Sequence, residues 1–315
     1  MALELITAGC ICADVMVRPV DTLPDKGTLG LIPDMGMHVG GLAGVTAMVY
    51  SRLGGESAFV GRLGQDSFGD FLLSKLEQSG VQTERVERDP NHNSSATVAL
   101  IDSTGERTFL HHLGTNAEVA ESDIDLDYVA QGKVFHWGGP GITPKLSGDV
   151  MGRIYGALQA RGVQTSMDTC FDGTGAWGSL IEAAVPHLDI AMTSLEEAKH
   201  YTGQPDEEAI AAWFLEKGAQ RVLVKMGEAG LLVQDGAQKL RLEAHDVGVV
   251  DTTGAGDAAC AGFLYGCIHG ASLEESGRLA NAVGALTVTR MGGGGVIENM
   301  DGVQKFMETQ PCRIK

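Results

Sequence analysis

The sequence predicts an α/β protein: a mostly parallel sheet covered by helices on both faces, with a few strands set apart from it. Three observations predict this. Short apolar, β-leaning runs recur at residues 3–8, 58–60, 96–101, 134–137, 164–167, 190–192, 221–224 and 231–233. Between many of them lie stretches with apolar residues every three or four positions, at 43–53, 68–79, 146–161, 195–202, 207–217, 256–269 and 273–290. Strand and helix in alternation argue for a parallel sheet, because each parallel crossover is made by a helix. Two early stretches break the rhythm, and these are expected to form a flap outside the main sheet. One is 16–38, rich in Pro, Gly and Asp; the other is 97–112, a hairpin-like run turning at Asp102-Ser103-Thr104-Gly105.

At 315 residues the chain is at the long end for one core, so one large domain with a small appendage competes with two domains. No Pro/Ser-rich linker, repeat or low-complexity tract divides it. The expected organisation is one domain, 1–315, with a lid formed by segments about 14–38 and 97–112.

Composition narrows the class. Hydrophobic residues make up 43% and charged ones 20%. No stretch approaches the run of about 18 apolar residues that a membrane span requires, so no membrane partner is expected. The N-terminus enters an apolar run without a basic lead or cleavage site, and the six cysteines show no CxxC pair or regular spacing. Both features point to the cytoplasm. A net charge of −18, from 23 basic and 41 acidic residues, repels a phosphate backbone. Nucleic acid is therefore not an expected partner, and any phosphate must be held locally.

The strongest chemical signal is Val249-Val250-Asp251-Thr252-Thr253-Gly254-Ala255-Gly256-Asp257, followed by the small-residue helix Ala258-Ala259-Cys260-Ala261-Gly262-Phe263. Unpaired N–H groups and the positive end of the dipole converge at a helix start, and glycines let an anion approach the main chain. The string reads as a phosphate or oxyanion cradle. A carboxylate placed there can take a proton from an attacking hydroxyl while the N–H groups hold charge on a transferring phosphoryl group. The plainer reading of Asp257 is a helix cap.

The segment Asp251–Asp257 resembles the C-terminal signature of the ribokinase-like (PfkB) family of carbohydrate kinases. The resemblance implies a Rossmann-like α/β fold with a small β-sheet lid, and ATP and Mg2+ as cofactors. It implies Asp257 as catalytic base, and an anion hole from Gly254, Ala255 and Gly256. Thr252, Gly254 and Gly256 would lie against the nucleotide. A monovalent cation near Asp251 and Thr253 is also implied, with potassium left open. Ala259 stands where the family usually has phenylalanine.

Further segments resemble the same pattern. His38–Ala47 is similar to the N-terminal signature, whose Gly40-Gly41 would set backbone beside the sugar. Asp14 is retained as a hydroxyl-binding carboxylate. Val45 and Cys12 replace polar contacts, which makes the pocket less suited to ribose. Gly61-Arg62-Leu63-Gly64-Gln65-Asp66-Ser67-Phe68-Gly69 matches a turn whose role is expected to be architectural, with Asp66 launching a helix. Gly105–Phe109 and Gly114–Ala117 resemble the segment that crosses the lid and returns over the substrate, and Arg107 and Asn116 are candidates to touch the substrate; a solvated lid strand residue is the alternative for Arg107. Ser194-Leu195-Glu196-Glu197 resembles the N-x-x-E motif, with Glu197 kept to organise magnesium through water and Ser194 in place of asparagine. Residues 222–230 read as a strand and turn beside the nucleotide, with Gly227 and Gly230 at the turn. Lys225 could reach a phosphate or have no such role. Asn281 would flank the adenine.

Neither a G-x-x-x-x-G-K-[ST] string nor a strand-bound G-x-G-x-x-G is present, and the histidines lack zinc-site spacing. The expected activity is transfer of the γ-phosphoryl of Mg-ATP to a hydroxyl of a small sugar-like substrate. Two alternatives stand beside it. A nucleoside kinase of the same family follows if Val45 and Cys12 face a base, and a non-catalytic sugar or nucleotide sensor if the changes at Val45, Ser194 and Ala259 disabled the site. Pairing of lids into a homodimer is left open.

Overall fold

Leu5–Gly9 and Val134–Gly138 are buried at every position, so both faces of the sheet are covered there. The computed structural model describes residues 2–292 and 297–314. The first half runs β1 (Leu5–Gly9), β2 (Cys12–Arg18), β3 (Asp34–Gly40), α1 (Leu42–Arg52), β4 (Ser57–Gly64), α2 (Ser67–Gln78), β5 (Val86–Asp89), β6 (Ala96–Ile101), β7 (Arg107–His112), α3 (Leu126–Val129), β8 (Val134–Gly138) and α4 (Asp149–Gln159). The second runs β9 (Gln164–Asp168), β10 (Ile190–Ser194), α5 (Leu195–Thr202), α6 (Glu207–Glu216), β11 (Arg221–Lys225), β12 (Leu231–Asp235), β13 (Lys239–Leu242), α7 (Ala255–Ile268), α8 (Leu273–Thr287) and α9 (Met300–Thr309).

The larger sheet has the order β13-β12-β11-β10-β9-β8-β1-β4-β5. It is parallel from β11 through β5, with β12 and β13 added antiparallel at one edge. Leu5, Val134 and Leu223 point to the face packed by α1, α2, α7, α8 and α9. Their neighbours Ile6, Phe135 and Val222 point to the face packed by α3, α4, α5 and α6. The period of two along each strand thus builds two apolar layers.

The smaller sheet has the order β3-β2-β6-β7. It holds both stretches that broke the strand–helix rhythm, with β2 antiparallel to β3 and β6 antiparallel to β7. The chain passes from one sheet into the other across Gly9–Cys12. Met16, Ala99 and Ile101 make a separate small cluster that Met291 covers.

Side chains start most of the longer helices. Asp66 accepts from Gly69 N, Ser194 from Glu197 N, Asp206 from Ala209 N and Asn299 from Gly302 N, while Ser272 and Glu275 form a reciprocal capping box. The sequence reading differs from the structure in three places. β5 and β13 are four-residue edge strands without a marked apolar run. The 146–161 helix begins only at Asp149, because Gly148 with φ 66° breaks the chain before it. The amphipathic α9 follows the glycine-rich segment and was not predicted.

Candidate active site

The carboxyl ends of the central parallel strands align along one edge. Gly9 pairs with Gly138, Gly138 with Asp168, Asp168 with Met192, and Ser194 with Lys225. Crevices at this edge are where open parallel sheets bind ligands. α7 starts there as well.

Gly254 forms the N-cap of α7 with φ 72°, a left-handed conformation that glycine adopts without strain, and no side chain caps this helix. Ala255 N turns back to Thr252 O at 3.3 Å, whereas the Gly254 and Gly256 amides bond to no other described residue. The start of α7 therefore keeps unpaired donors and its positive dipole end. Of the three amides expected to hold an anion, Ala255 is the one already engaged.

Asp257 stands in the first turn of α7, partly exposed, with its carbonyl accepting from Thr46 Oγ1 of α1 at 3.2 Å. Burial in the surrounding protein, then the Asp168 carboxylate, raises its pKa to about 7; Lys225 opposes this, and Glu197 and Asp14 add to it. A carboxyl group merely capping a helix would be stabilised in its charged form and shifted the other way.

Lys225, at the end of β11, places Nζ 2.8 and 2.6 Å from the two oxygens of Asp168 and 3.4 Å from Cys260 Sγ. Burial alone would lower the lysine pKa, but Asp168, Cys260, Asp257 and Glu197 outweigh it and hold the ammonium charged. Asp168 is fully buried, and that burial raises its pKa against the pull of Lys225. A Cβ at Gly256 would sit 3.2 Å from Nζ, so glycine here lets backbone and ammonium face one space.

Glu197, one turn into α5, accepts from Thr169 Oγ1 at 2.9 Å, and Thr169 shares a 2.7 Å bond with Thr193. Burial raises its pKa, with Lys225 opposing. Ser194 accepts from Glu197 N at 3.4 Å and is spent on capping α5. No group of three or more His, Cys, Asp or Glu side chains among the described residues is arranged to hold a metal ion.

Asp14 of β2 is nearly buried, accepts from Cys12 Sγ at 3.2 Å, and has its pKa raised, by burial first. Its carboxylate fills the space a Cβ at Gly40 would need, 2.0 Å from Oδ2. Gly41, with φ 92°, begins α1 so close to Ile11 that a Cβ would lie 2.5 Å from its Cα. Val45 is buried in the core of the same helix.

Asn116 is fully buried; its Oδ1 accepts from Ile11 N at 3.3 Å and its Nδ2 points to Cys10 Sγ at 3.4 Å, which braces the crossing between the sheets. Arg107 of β7 reaches across to the loop before α7, donating to Thr253 Oγ1 at 2.9 Å with Asp251 Oδ1 at 3.9 Å. Gly230 is packed against Leu242 O, whereas Gly227 has open space around it. Asn281 of α8 donates to Glu243 O at 2.7 Å and to Cys312 Sγ at 3.0 Å.

The structure thus brings together Asp257, Gly254, Gly256, Lys225, Glu197 and, electrostatically, Asp14. Asp168 was missed by sequence reasoning. The signal was available: a lone acid closing an apolar strand sits at the carboxyl edge of a parallel sheet.

An α/β scaffold with an uncapped glycine helix start, a near-neutral carboxyl group and a lysine on one strand edge defines an enzyme that handles anionic groups. Comparison with known proteins narrows this. The family described as pfkB family carbohydrate kinase matches residues 8–300. A fructokinase of Klebsiella pneumoniae is 31% identical over 302 residues, covering 91% of this chain and 96% of the relative. An uncharacterized sugar kinase of Archaeoglobus fulgidus is 30% identical over 249 residues, covering 78% and 96%. The Arabidopsis thaliana ribokinase solved with ribose and ATP superposes with a TM-score of 0.84 at 26% identity, over 98% of this chain and 99% of that one. An E. coli chain of the ribokinase type, solved with ATP and Mg2+, gives 0.85 at 22% identity over 98% and 99%. The chain belongs to the PfkB family of carbohydrate kinases. It is a phosphotransferase with an alcohol group as acceptor.

Proposed function

We propose that this kinase phosphorylates a hydroxyl of a small sugar from Mg-ATP, with Asp257 as the base. The observation that carries the reading is a carboxyl group in the first turn of an uncapped helix start that faces the Lys225 ammonium, where burial raises its pKa to about 7. A base poised near the working pH is deprotonated often enough to act and basic enough to accept the hydroxyl proton. Mg-ATP, when bound, supplies the phosphoryl group and neutralises part of its charge. The Gly254 and Gly256 amides and the Lys225 ammonium offer positive potential to the transferring group. Asp168 holds Lys225 in place, and Glu197 would hold water on a magnesium ion carried by the phosphates.

Asp14, beside Gly40 and Gly41, is the carboxylate proposed to accept sugar hydroxyls. With Cys12 next to it and Val45 buried, this pocket is less polar than two amide side chains would make it. The fructokinase names among the relatives make fructose the first sugar to try. The smaller sheet is proposed to act as a lid that excludes water from transfer. Its exposed Met35, Phe109 and Leu110 suit pairing with a second copy. Six free thiols suit a reducing cytoplasm.

The test is ADP release with Mg-ATP across pentoses, hexoses, sugar acids, sugar phosphates and nucleosides, run beside Asp257→Asn. Substrate-dependent release that falls about a thousandfold in the variant supports the assignment. Undiminished release in the variant removes Asp257 from its role, and preference for nucleosides over sugars replaces the substrate class.

A further inference from the structure

The loop entering α7 contains a buried carboxylate whose oxygens are already in use. Asp251 Oδ1 accepts from Thr253 N at 2.9 Å, and Oδ2 accepts from Gly292 N at 3.2 Å. Its side chain is 3% exposed, and the cost of burying a carboxylate is offset by hydrogen bonds and by a nearby cation. Arg107 supplies one. The guanidinium comes from β7 of the smaller sheet, donates to Thr253 Oγ1 at 2.9 Å and lies 3.9 Å from Asp251 Oδ1. It rests over the Phe109 ring at 5.6 Å, which steadies its planar head.

The expected monovalent cation does not fit this arrangement. Its two side-chain ligands would be Asp251 and Thr253, and the Thr253 hydroxyl already accepts from a permanently charged guanidinium. A second positive charge there would be repelled by the first. We propose that Arg107 takes the place of a monovalent cation, so that the charge ordering the anion-hole loop is carried by the smaller sheet. This rests on the kinase reading above. Its consequence is that the loop is ordered when the smaller sheet is docked, and that phosphoryl transfer is indifferent to potassium.

The test compares wild type, Arg107→Lys and Arg107→Ala at constant ionic strength, in potassium chloride and in choline chloride. Two readouts are taken: turnover of the substrate found in the panel, and hydrogen exchange of the amides from Thr253 to Gly256. Wild type is expected to turn over and exchange alike in both salts, within about twofold. Arg107→Ala should lose at least tenfold in turnover in choline, exchange faster through the loop, and regain part of both in potassium. Arg107→Lys should fall between.

Wild-type turnover at least tenfold higher in potassium would overturn the proposal. So would loop exchange in Arg107→Ala that matches wild type in choline. Exchange is read without substrate, so an enzyme silent across the whole panel would count against the kinase reading while the role of Arg107 is still decided.

Discussion

Lys225 grips both oxygens of the Asp168 carboxylate, at 2.8 and 2.6 Å, and the same ammonium lies beside the first turn of α7. Two adjacent groups therefore act on Asp257 with opposite sign: Asp168 raises its pKa and Lys225 lowers it.

The first consequence is a pH profile. Asp257 must be ionised to accept a proton, so kcat/KM should climb about tenfold per pH unit below about 7 and level above it. A stopped-time assay from pH 5 to 9 in a constant-ionic-strength buffer checks this; a flat profile would remove Asp257 from the rate.

Stability should run the other way. The folded pKa of about 7 exceeds the unfolded value of about 3.9, so between those limits the folded state binds more protons. The contribution of Asp257 to stability therefore falls as pH rises through that window and is constant above it. The difference in Tm between wild type and Asp257→Asn should shift steadily in the variant's favour from pH 4 to 7. Parallel curves would contradict the shift.

Neighbouring charges should move the acid limb in opposite directions. Lys225→Met removes the cation and should carry the limb to higher pH; Asp168→Asn removes an anion and should carry it lower. Both variants also lose turnover, so the position of the limb is the discriminating readout. Movement of both limbs in one direction would refute the electrostatic account.

Gly256→Ala separates site from scaffold. The added methyl meets the flexible end of Lys225 at 3.2 Å, inside a helix where alanine is favoured by about 1 kcal/mol. Stability should hold or rise slightly while turnover falls about tenfold or more. Thermal melts beside the ADP assay test this, and unchanged turnover would clear that space of any transferring group.

Gly41→Ala should do the reverse. A side chain at φ 92°, with its Cβ 2.5 Å from Ile11 Cα, is both strained and blocked. A loss of about 2–4 kcal/mol is expected on general grounds of strain and overpacking. Denaturant unfolding measures it; a loss under about 0.5 kcal/mol would mean the crossing between the sheets relaxes freely.

Much of this architecture was legible before folding was considered. Strand–helix alternation foretold the parallel core, and the two irregular stretches became the smaller sheet. Asp66, read as launching a helix, does so by accepting from Gly69 N at 2.7 Å. The four-residue edge strands were not legible, because edges lack the apolar run that burial on two faces imposes. Nor was the engagement of Asn116 and Asn281, since an amide's partners do not follow from its position in the chain.

The sequence by itself determined the family, the layered α/β core and the glycine start of α7 with its aspartate, because each is written in local spacing: a period of two, a period near four, and one contiguous string. Tertiary structure decided the charges around that string. Lys225 meets Asp168 across 57 positions and Arg107 meets Thr253 across 146. Only the order of strands and the docking of two sheets bring those groups together, and it is burial, then the Asp168 carboxylate, that raises the pKa of Asp257.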